Sequence, residues 1–589
     1  MASYHVTLDG QGYMLELAKY VRRAHEPFVP RVTAGDRRYG DLAHDQGLLV
    51  SDWSGGEGFL QLDPDATSRY RTGTGVDWYS QPGALGLGPL MPQVKQWGAD
   101  APTCALVYKG SLYVGVSSQE VYKWDGATWT LSLGAMGYIP AAMATFLNKL
   151  YVTSGSDGKV ASFDGTTWTN PAFTIAGSGG SAALATFYRQ TAQYLYVGTS
   201  GTGPNGVGSV YWWDGATLSA KQYDFEETSP QAAVVLGNRL YFFTGSSDGR
   251  GAIYSVDDSG LGGVYRAHVA RSDGYWRSAV VWNGLAYLGD VDGGRIWTWD
   301  GSQARQVYQL GSQASAYAAP IYGLGVWNGA LWAAIQDGAG GSGLLRYDGR
   351  AWSRPVVGLT GGDPRWVVVY GGKLALGVGK TGDARAYRTD GTYGASGTLE
   401  TGLFDGRLPS VDKVLRSVTV THSALLTGQS VQVQYQLEGT GAWTTLGTSN
   451  TVGATSATFG FSGLVTARQV AFRLVLGGTS GASSSVALYD WLLRYALAPD
   501  LKREWELEVV LEGTPGLPQI TLDGTASPLT GAQQSANLWT SKAKAGPVTF
   551  VDLDGVSRSA WFVELKEGVE QLSQRKGYQT VGRCRLLEA

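Results

Sequence analysis

This chain of 589 residues has little that points to chemistry. Its two cysteines, Cys104 and Cys584, lie near opposite ends, which excludes the dense disulfide framework of a small secreted domain. Its five histidines, His5, His25, His44, His268 and His422, show no HxH, HExxH or Cys/His spacing, which removes the usual zinc sites. No GxSxG elbow, Walker loop or dinucleotide fingerprint sits between a strand and a helix. Charge is scarce at 16% of residues, and a net charge of -3 supplies no basic face for phosphates, which argues against nucleic acid as a partner. No apolar run approaches the roughly 18 residues of a membrane span. The opening MASYHVTLDGQGYMLELAKYVRRAHEPF contains no apolar h-region. The expectation is therefore a soluble protein made in the cytoplasm, with no membrane insertion.

What the chain does have is glycine, 85 residues of it, and 12% aromatics. That mixture fits many short strands joined by tight turns, an all-β composition, and the length predicts about three or four domains. The clearest pattern is a repeat: Leu-Tyr or a variant, a Gly-rich gap, an aromatic, Asp-Gly and often Trp. It reads LYVGVSSQEVYKWDGATW from Leu112, LYVTSGSDGKVASFDGTTW from Leu150 and LYVGTSGTGPNGVGSVYWWDGATL from Leu195. Looser copies begin at Leu240, Leu285, Leu331 and Leu374, so the anchors are 38, 45, 45, 45, 46 and 43 residues apart. A period near 44 corresponds to one four-stranded unit per repeat, stacked radially. The anchors predict a seven-bladed β-propeller over 101–395, with six blades as the second choice. Turn pairs at Asn283-Gly284, Asn328-Gly329 and Gly371-Gly372 suit two-residue hairpins with positive φ. The closing strand is expected from outside the repeat, from Gly58 to Leu62 or from Ser68 to Thr72.

The flanks read differently. Residues 1–100 carry a short strand at Tyr4 to Leu8, a helical or extended run at Tyr13 to Arg23 and a Gly/Pro/Asp-rich tract, and are read as an extended arm with short strands. From 396 to 499 the period becomes two, with Val431, Val433, Tyr435 and Leu437 on one face, which predicts a jelly-roll-type β-sandwich. From 500 to 589 the expectation is a small β-rich domain with one helix in TGAQQSANLWTSKAKAG, its apolar positions Ala532, Ala536 and Trp539 and its stop Gly546-Pro547.

Each motif has a structural and a functional reading, and the structural one is preferred throughout. Trp129, Trp168 and Trp352 are expected to pack between blades, and Asp125, Asp164, Asp214, Asp300, Asp348 and Asp390 to make Asp-Gly turns. The sialidase Asp-box has the order Ser-x-Asp-x-Gly-x-Thr-Trp, which Asp125-Gly126-Ala127-Thr128-Trp129 does not match. The loops Asp290 to Gly294 and Ser154 to Gly158 offer oxygens to Ca²⁺ but lack the full pattern of a calcium loop. No residue is assigned a catalytic, cofactor-binding or metal-ligating role, and no cofactor is expected. The densest basic stretch is Lys19 to Arg23 with Arg31, Arg37 and Arg38, read as a solvated face or as a contact for an acidic neighbouring subunit.

The flanks also carry a family resemblance. VTLDGQGYML, EPFVPRVTAGDRRYGDL and DWSGGEGF resemble the N-terminal arm of tail proteins of long-tailed bacteriophages. GPVTFVDLDGVSRSAWFVELKEGVEQ and YQTVGRCRLLEA are similar to the end of distal-tail and related baseplate proteins, where a Thr-Phe-x-Asp-x-Asp-Gly hairpin and a last strand build a tail-docking β-domain. FDGRLPSVDKVLRSVTV resembles their jelly-roll modules, which look like carbohydrate-binding domains. The resemblance covers about residues 1–60 and 396–589. It implies a structural, non-enzymatic part of the virion tail, assembled as a ring of three or six copies with other tail and baseplate proteins. The large propeller departs from the family pattern and opens contact with a host-surface glycan or receptor. The alternative reading is a lectin-like glycan- or receptor-binding propeller without an assembly role, and behind it a propeller glycosidase, which needs two convergent carboxylates.

Overall fold

The computed structural model describes residues 4–25, 46–58, 60–63, 67–189, 192–201, 206–226, 229–245, 251–256, 264–270, 276–290, 293–309, 321–336, 341–379, 382–409, 411–498, 502–512, 519–544, 546–573 and 577–588. It is all-β apart from a 3-10 turn at Leu17–Lys19 and one α-helix at Gly531–Lys542. No helix among the described residues is long and apolar enough to cross a membrane.

The repeats form four-stranded antiparallel units. Their first strands, Pro102–Tyr108, Pro140–Phe146, Gly180–Arg189, Ser229–Leu236, Trp276–Trp282, Gly323–Trp327 and Asp363–Tyr370, each contact the next, and the last returns to Pro102–Tyr108 in a closed, propeller-like circuit. Second strands such as Ser111–Val116 are buried on both faces, so the LYVGV-type anchors are apolar without alternation. An apolar cluster fills each seam between neighbours: Tyr108, Tyr113 and Val121 of one unit meet Leu150, Val152 and Phe163 of the next. The expected hairpins have positive φ at both turn residues, 49° and 76° at Asn283-Gly284 and 49° and 74° at Asn328-Gly329.

The closing strand is neither of the two segments expected from sequence. The last unit holds Asp363–Tyr370, Lys373–Gly379 and Ala384–Arg388, and its fourth strand is Gln93–Gly98, paired antiparallel with Ala384–Arg388. Gln93–Gly98 runs almost directly into the first strand of the first unit, so chain continuity already holds it at that edge. Gly58 to Leu62 and Ser68 to Thr72 are instead drawn towards the strands after 396, through Gln61–Leu403 and Thr72–Glu400 pairings.

Beyond the ring, two sheets enclose one core. One has the order Gln46–Val50, Leu488–Ala498, Asp412–His422, Ser456–Ala467. The other has the order Thr72–Thr74, Ser396–Glu400, Val470–Gly477, Ser430–Leu437, Thr444–Ser449. Val431 and Val433 face the core with Leu48, Val418, Phe472 and Trp491. Thr72–Thr74 also pairs in parallel with Trp352–Leu359, the outer strand of the sixth unit, so a nine-stranded sheet runs from the ring into this body.

The two chain ends build a barrel. Gln11–Leu15, Val6–Leu8, Val548–Val551, Ser557–Ser573, Gly577–Glu588 and Lys502–Glu512 pair in that order, and Met14 and Leu15 return to Val510 and Val509 to close it. Val21–His25 continues along Lys502–Glu512. Val6, Leu8, Tyr13 and Leu15 alternate with exposed or half-buried residues and enter the same core as Trp505, Val509, Phe550 and Leu586. The first hundred residues are thus shared among barrel, paired sheets and ring, because each of their apolar strands needs a covered face that only a distant segment supplies. The helix lies where the sequence places it, with a Thr530/Gln533 capping box. Its inward face is Gln534, Leu538 and Ser541, while Trp539 stays 48% exposed. Leu538 sits in the barrel core, and the Gln534 amide is held by Gln519 at 2.9 Å.

Candidate functional site

The repeat signature is a construction device. Asp Oδ1 accepts from the backbone two and three residues on: Ala127 and Thr128 at Asp125, Thr166 and Thr167 at Asp164, Ala216 and Thr217 at Asp214. Asp300 and Asp348 repeat the pattern, and Asp390 accepts from Thr392. The Thr167 and Gln303 amides, with their neighbours, pull Asp164 and Asp300 down to about 2. The following glycine has a φ of 109° at Gly165 and 106° at Gly215, where a side chain is strained. It also faces the preceding unit: Lys109 lies beside Gly165, Leu147 beside Gly215, Tyr241 beside Gly301.

The Trp at the end of the motif spans the same seam. Trp129 stacks on Trp124, Trp168 on Phe163 and Trp352 on Tyr347, with ring centroids 5.2, 4.7 and 4.3 Å apart. Each also reaches the preceding unit. The Trp129 indole donates to the Val94 carbonyl at 3.1 Å, Trp168 to Ser132 at 3.2 Å, and Trp352 lies 4.5 Å from Tyr308. None of these groups converges on a shared point.

Two polar clusters hold the ring to the paired sheets. Asp77 and Arg346 form a buried ion pair at 2.6 Å, with Arg346 also on Ser353 and over the Tyr79 ring. Burial opposes ionisation of Asp77, but the Arg346 guanidinium, the Ser80 hydroxyl and the Tyr79 amide together outweigh it and hold the carboxyl below its usual range. Glu57 accepts from Arg354 at 3.1 Å and from the Tyr308 hydroxyl at 3.0 Å. Burial, and then the Glu57 carboxylate, push Tyr308 well above a normal phenol. Beside them is a cleft of about 340 Å³ lined by Asp52, Trp53, Trp78, Tyr79 and Pro82. Its lining is mostly apolar, and Asp52 is its one carboxylate.

A third cluster locks the barrel. The Asp552 carboxylate is fully buried and accepts from the Tyr20 hydroxyl at 2.5 Å, the Trp505 indole at 2.9 Å and Arg22 at 3.2 Å. Asp554, two residues on, pairs with Arg22 and Arg558. These aspartates belong to the Thr549-Phe550-Val551-Asp552-Leu553-Asp554-Gly555 hairpin. The basic run finds its acidic counterparts within its own chain: Lys19 on Glu508, Arg22 on Asp552 and Asp554, Arg23 on Glu506. Arg31, Arg37 and Arg38 lie outside the described residues.

The remaining candidates are dispersed. His5 Nδ1 accepts from the Leu15 amide and buried His422 contacts Ser423 and Ser449; His44 and the side chains of His25 and His268 lie outside the described residues. Asp157 pairs with Lys159, and Asp290 with Arg295 at 2.8 Å, while Asp292 lies outside the described residues. Among the described residues no three His, Cys, Asp or Glu side chains gather as a metal site. Sequence reasoning passed over Glu57, Asp77, Tyr308, Arg346 and Arg354. Their partners are up to 297 residues apart, and no local pattern marks such pairs.

No family model matches the chain, and no curated protein does. Solved structures with propeller-like folds are similar to about half of it. YCF48 from Cyanidioschyzon merolae is 13% identical, with a TM-score of 0.38, over 51% of this chain and 98% of that one. BBS1N, solved in complex with ARL6DN, is 12% identical, with a TM-score of 0.38, over 51% and 98%. The computationally designed Ika8 protein is 13% identical, with a TM-score of 0.34, over 49% and 97%. Likenesses this distant carry no argument about function.

Proposed function

We propose that this protein is a structural component of the tail or baseplate of a long-tailed bacteriophage, mounted through its two ends and carrying a propeller outward for assembly or host-surface contact. In this reading the closed circuit is a seven-bladed β-propeller and the paired sheets are a jelly-roll-type sandwich. The protein acts without chemistry, in a ring of three or six copies with other tail proteins, and resides in the virion tail. The observation that supports it is the barrel: strands from residues 6–25 and 502–588 close one module, so that the ring and sandwich are an insertion between its strands. A module made of both ends suits a mount, because its load is shared by two covalent connections to the inserted bodies.

The test is to image assembled particles bearing a tag on this chain and to identify their proteins by mass spectrometry. The expected result is a ring of copies at the tail end. A protein that stays monomeric when purified and is absent from intact particles overturns the proposal.

A further inference from the structure

The outer face of the sheet containing Ser430–Leu437 carries an organised row of polar side chains. Residues directly opposite one another across neighbouring strands share a face. The register aligns Thr72 with Glu400, Glu400 with Arg473, Arg473 with Gln434 and Gln434 with Thr445. The alternation points this set away from the core, because Leu399, Phe472, Leu474, Val431 and Val433 are buried beside it. At about 4.8 Å per strand, the four steps span about 19 Å.

The row is wired together. Arg473 donates through Nε and Nη2 to Glu400 Oε1 at 2.9 and 2.5 Å and through Nη1 to Gln434 at 3.5 Å. Gln434 donates to Gln432 at 2.8 Å, and Gln432 to Thr448 at 3.1 Å. The half-buried Trp443 lies beside them, with the Arg473 guanidinium 4.3 Å from its ring centre. Each amide keeps a further donor and acceptor, and Glu400 Oε2 has no partner among the described residues.

We infer that this face binds a neutral oligosaccharide laid across the strands, with the Gln432, Gln434, Glu400 and Arg473 row meeting its hydroxyls and Trp443 covering the apolar side of one sugar ring. The only opposite charges in the row, Arg473 and Glu400, neutralise each other, so nothing draws in an acidic polymer or nucleic acid. A purely apolar ligand would strip water from the amides and return no hydrogen bonds. A neutral polyol replaces that water with paired donors and acceptors, and the strand spacing sets them at a pitch close to one hexose unit. The side chains already hold one another in place, so ordering them on binding costs little. The inference rests on the tail reading only for the source of the glycan, a host surface.

The experiment uses the purified full chain against neutral hexose oligosaccharides of increasing length and matched ones bearing carboxylates or sulfates, by array and then calorimetry. Neutral chains should bind, tightening with length until the row is filled. Trp443→Ala should weaken binding by roughly tenfold or more, in line with loss of a buried aromatic anchor. The double variant Gln432→Ala/Gln434→Ala should weaken it comparably, and both should keep the wild-type melting temperature. The inference is overturned if no neutral oligosaccharide binds, if both variants bind as the wild type does, or if acidic chains bind equally well. Absence of the chain from virions, with this binding intact, would remove the tail reading and leave the glycan face standing.

Discussion

The ring and the barrel solve one problem, closing a sheet system on itself, from opposite ends of the sequence scale. In the ring every seam but the closing one joins units adjacent in sequence, and the elements that make it, an Asp-Gly turn, its Trp and the anchor strand, recur about every 44 residues. In the barrel the decisive contacts join residues such as Tyr20 and Asp552, 532 positions apart. Local closure can be assembled unit by unit, whereas the barrel must wait for both chain ends and bear the full entropy of a long loop. A damaged seam in the ring should therefore be buffered by its neighbours. A damaged latch in the barrel has no second copy to rely on.

That contrast can be broken most forcefully at Asp552. Asp552→Ala leaves the Trp505 indole and the Tyr20 hydroxyl without their acceptor, while Arg22 keeps Asp554, and should cost about 3 kcal/mol. Hydrogen exchange should rise along 502–512 and 548–551 while the ring strands keep their protection; equal loosening of both bodies would deny their independence. Within the ring, Gly215→Ala puts a methyl 2.7 Å from Leu147 Cδ1 at a φ of 106°. It should cost about 1–2 kcal/mol, read as a lower melting temperature with exchange changes confined to the second and third units. Trp168→Phe keeps a ring to stack on Phe163 but loses the hydrogen bond to Ser132, for about 1 kcal/mol by chemical denaturation.

The mildest probe is acid. Asp164 and Asp300 have folded values of about 2 against an ordinary 3.8. A depressed carboxyl contributes stability that is complete above the unfolded value and is lost as the pH falls through the folded one. The turns at these two positions should hold through pH 4 and loosen only as the pH approaches 2, seen as carboxyl chemical shifts titrating there. Midpoints near 4 would show that the amides do not hold the carboxylates.

How much of this could be read in advance follows the same divide. Asp125-Gly126 and Trp129 announce their roles within five residues, because an Asx turn and a cross-strand aromatic pair are local. The buried alternation of Val431 and Val433 was equally legible. Gln93–Gly98 was not, since QVKQWG has no anchor pattern and becomes a strand only because the last unit presents an open edge. The helix shows a related effect: Trp539, one of its apolar positions, has the larger side chain, but its indole reaches Glu567 outside the core, and Leu538 enters the barrel core instead. Arg346 and Arg354 looked like any surface arginine until Asp77 and Glu57 arrived from far upstream.

The shared sheet at Thr72–Thr74 gives the molecule a mechanical character. The ring is welded to its support along one side, at the sixth unit through the pairings of Arg354 with Thr74 and Thr72 with Glu400 and the Asp77–Arg346 bolt, and at the fifth through Tyr308 on Glu57. A disc fastened along one side of its rim is a cantilever: a push on the far side is delivered as torque to that joint, and displacement grows with distance from it. The weld is therefore where a force sensed by the ring first becomes strain in the body that carries it.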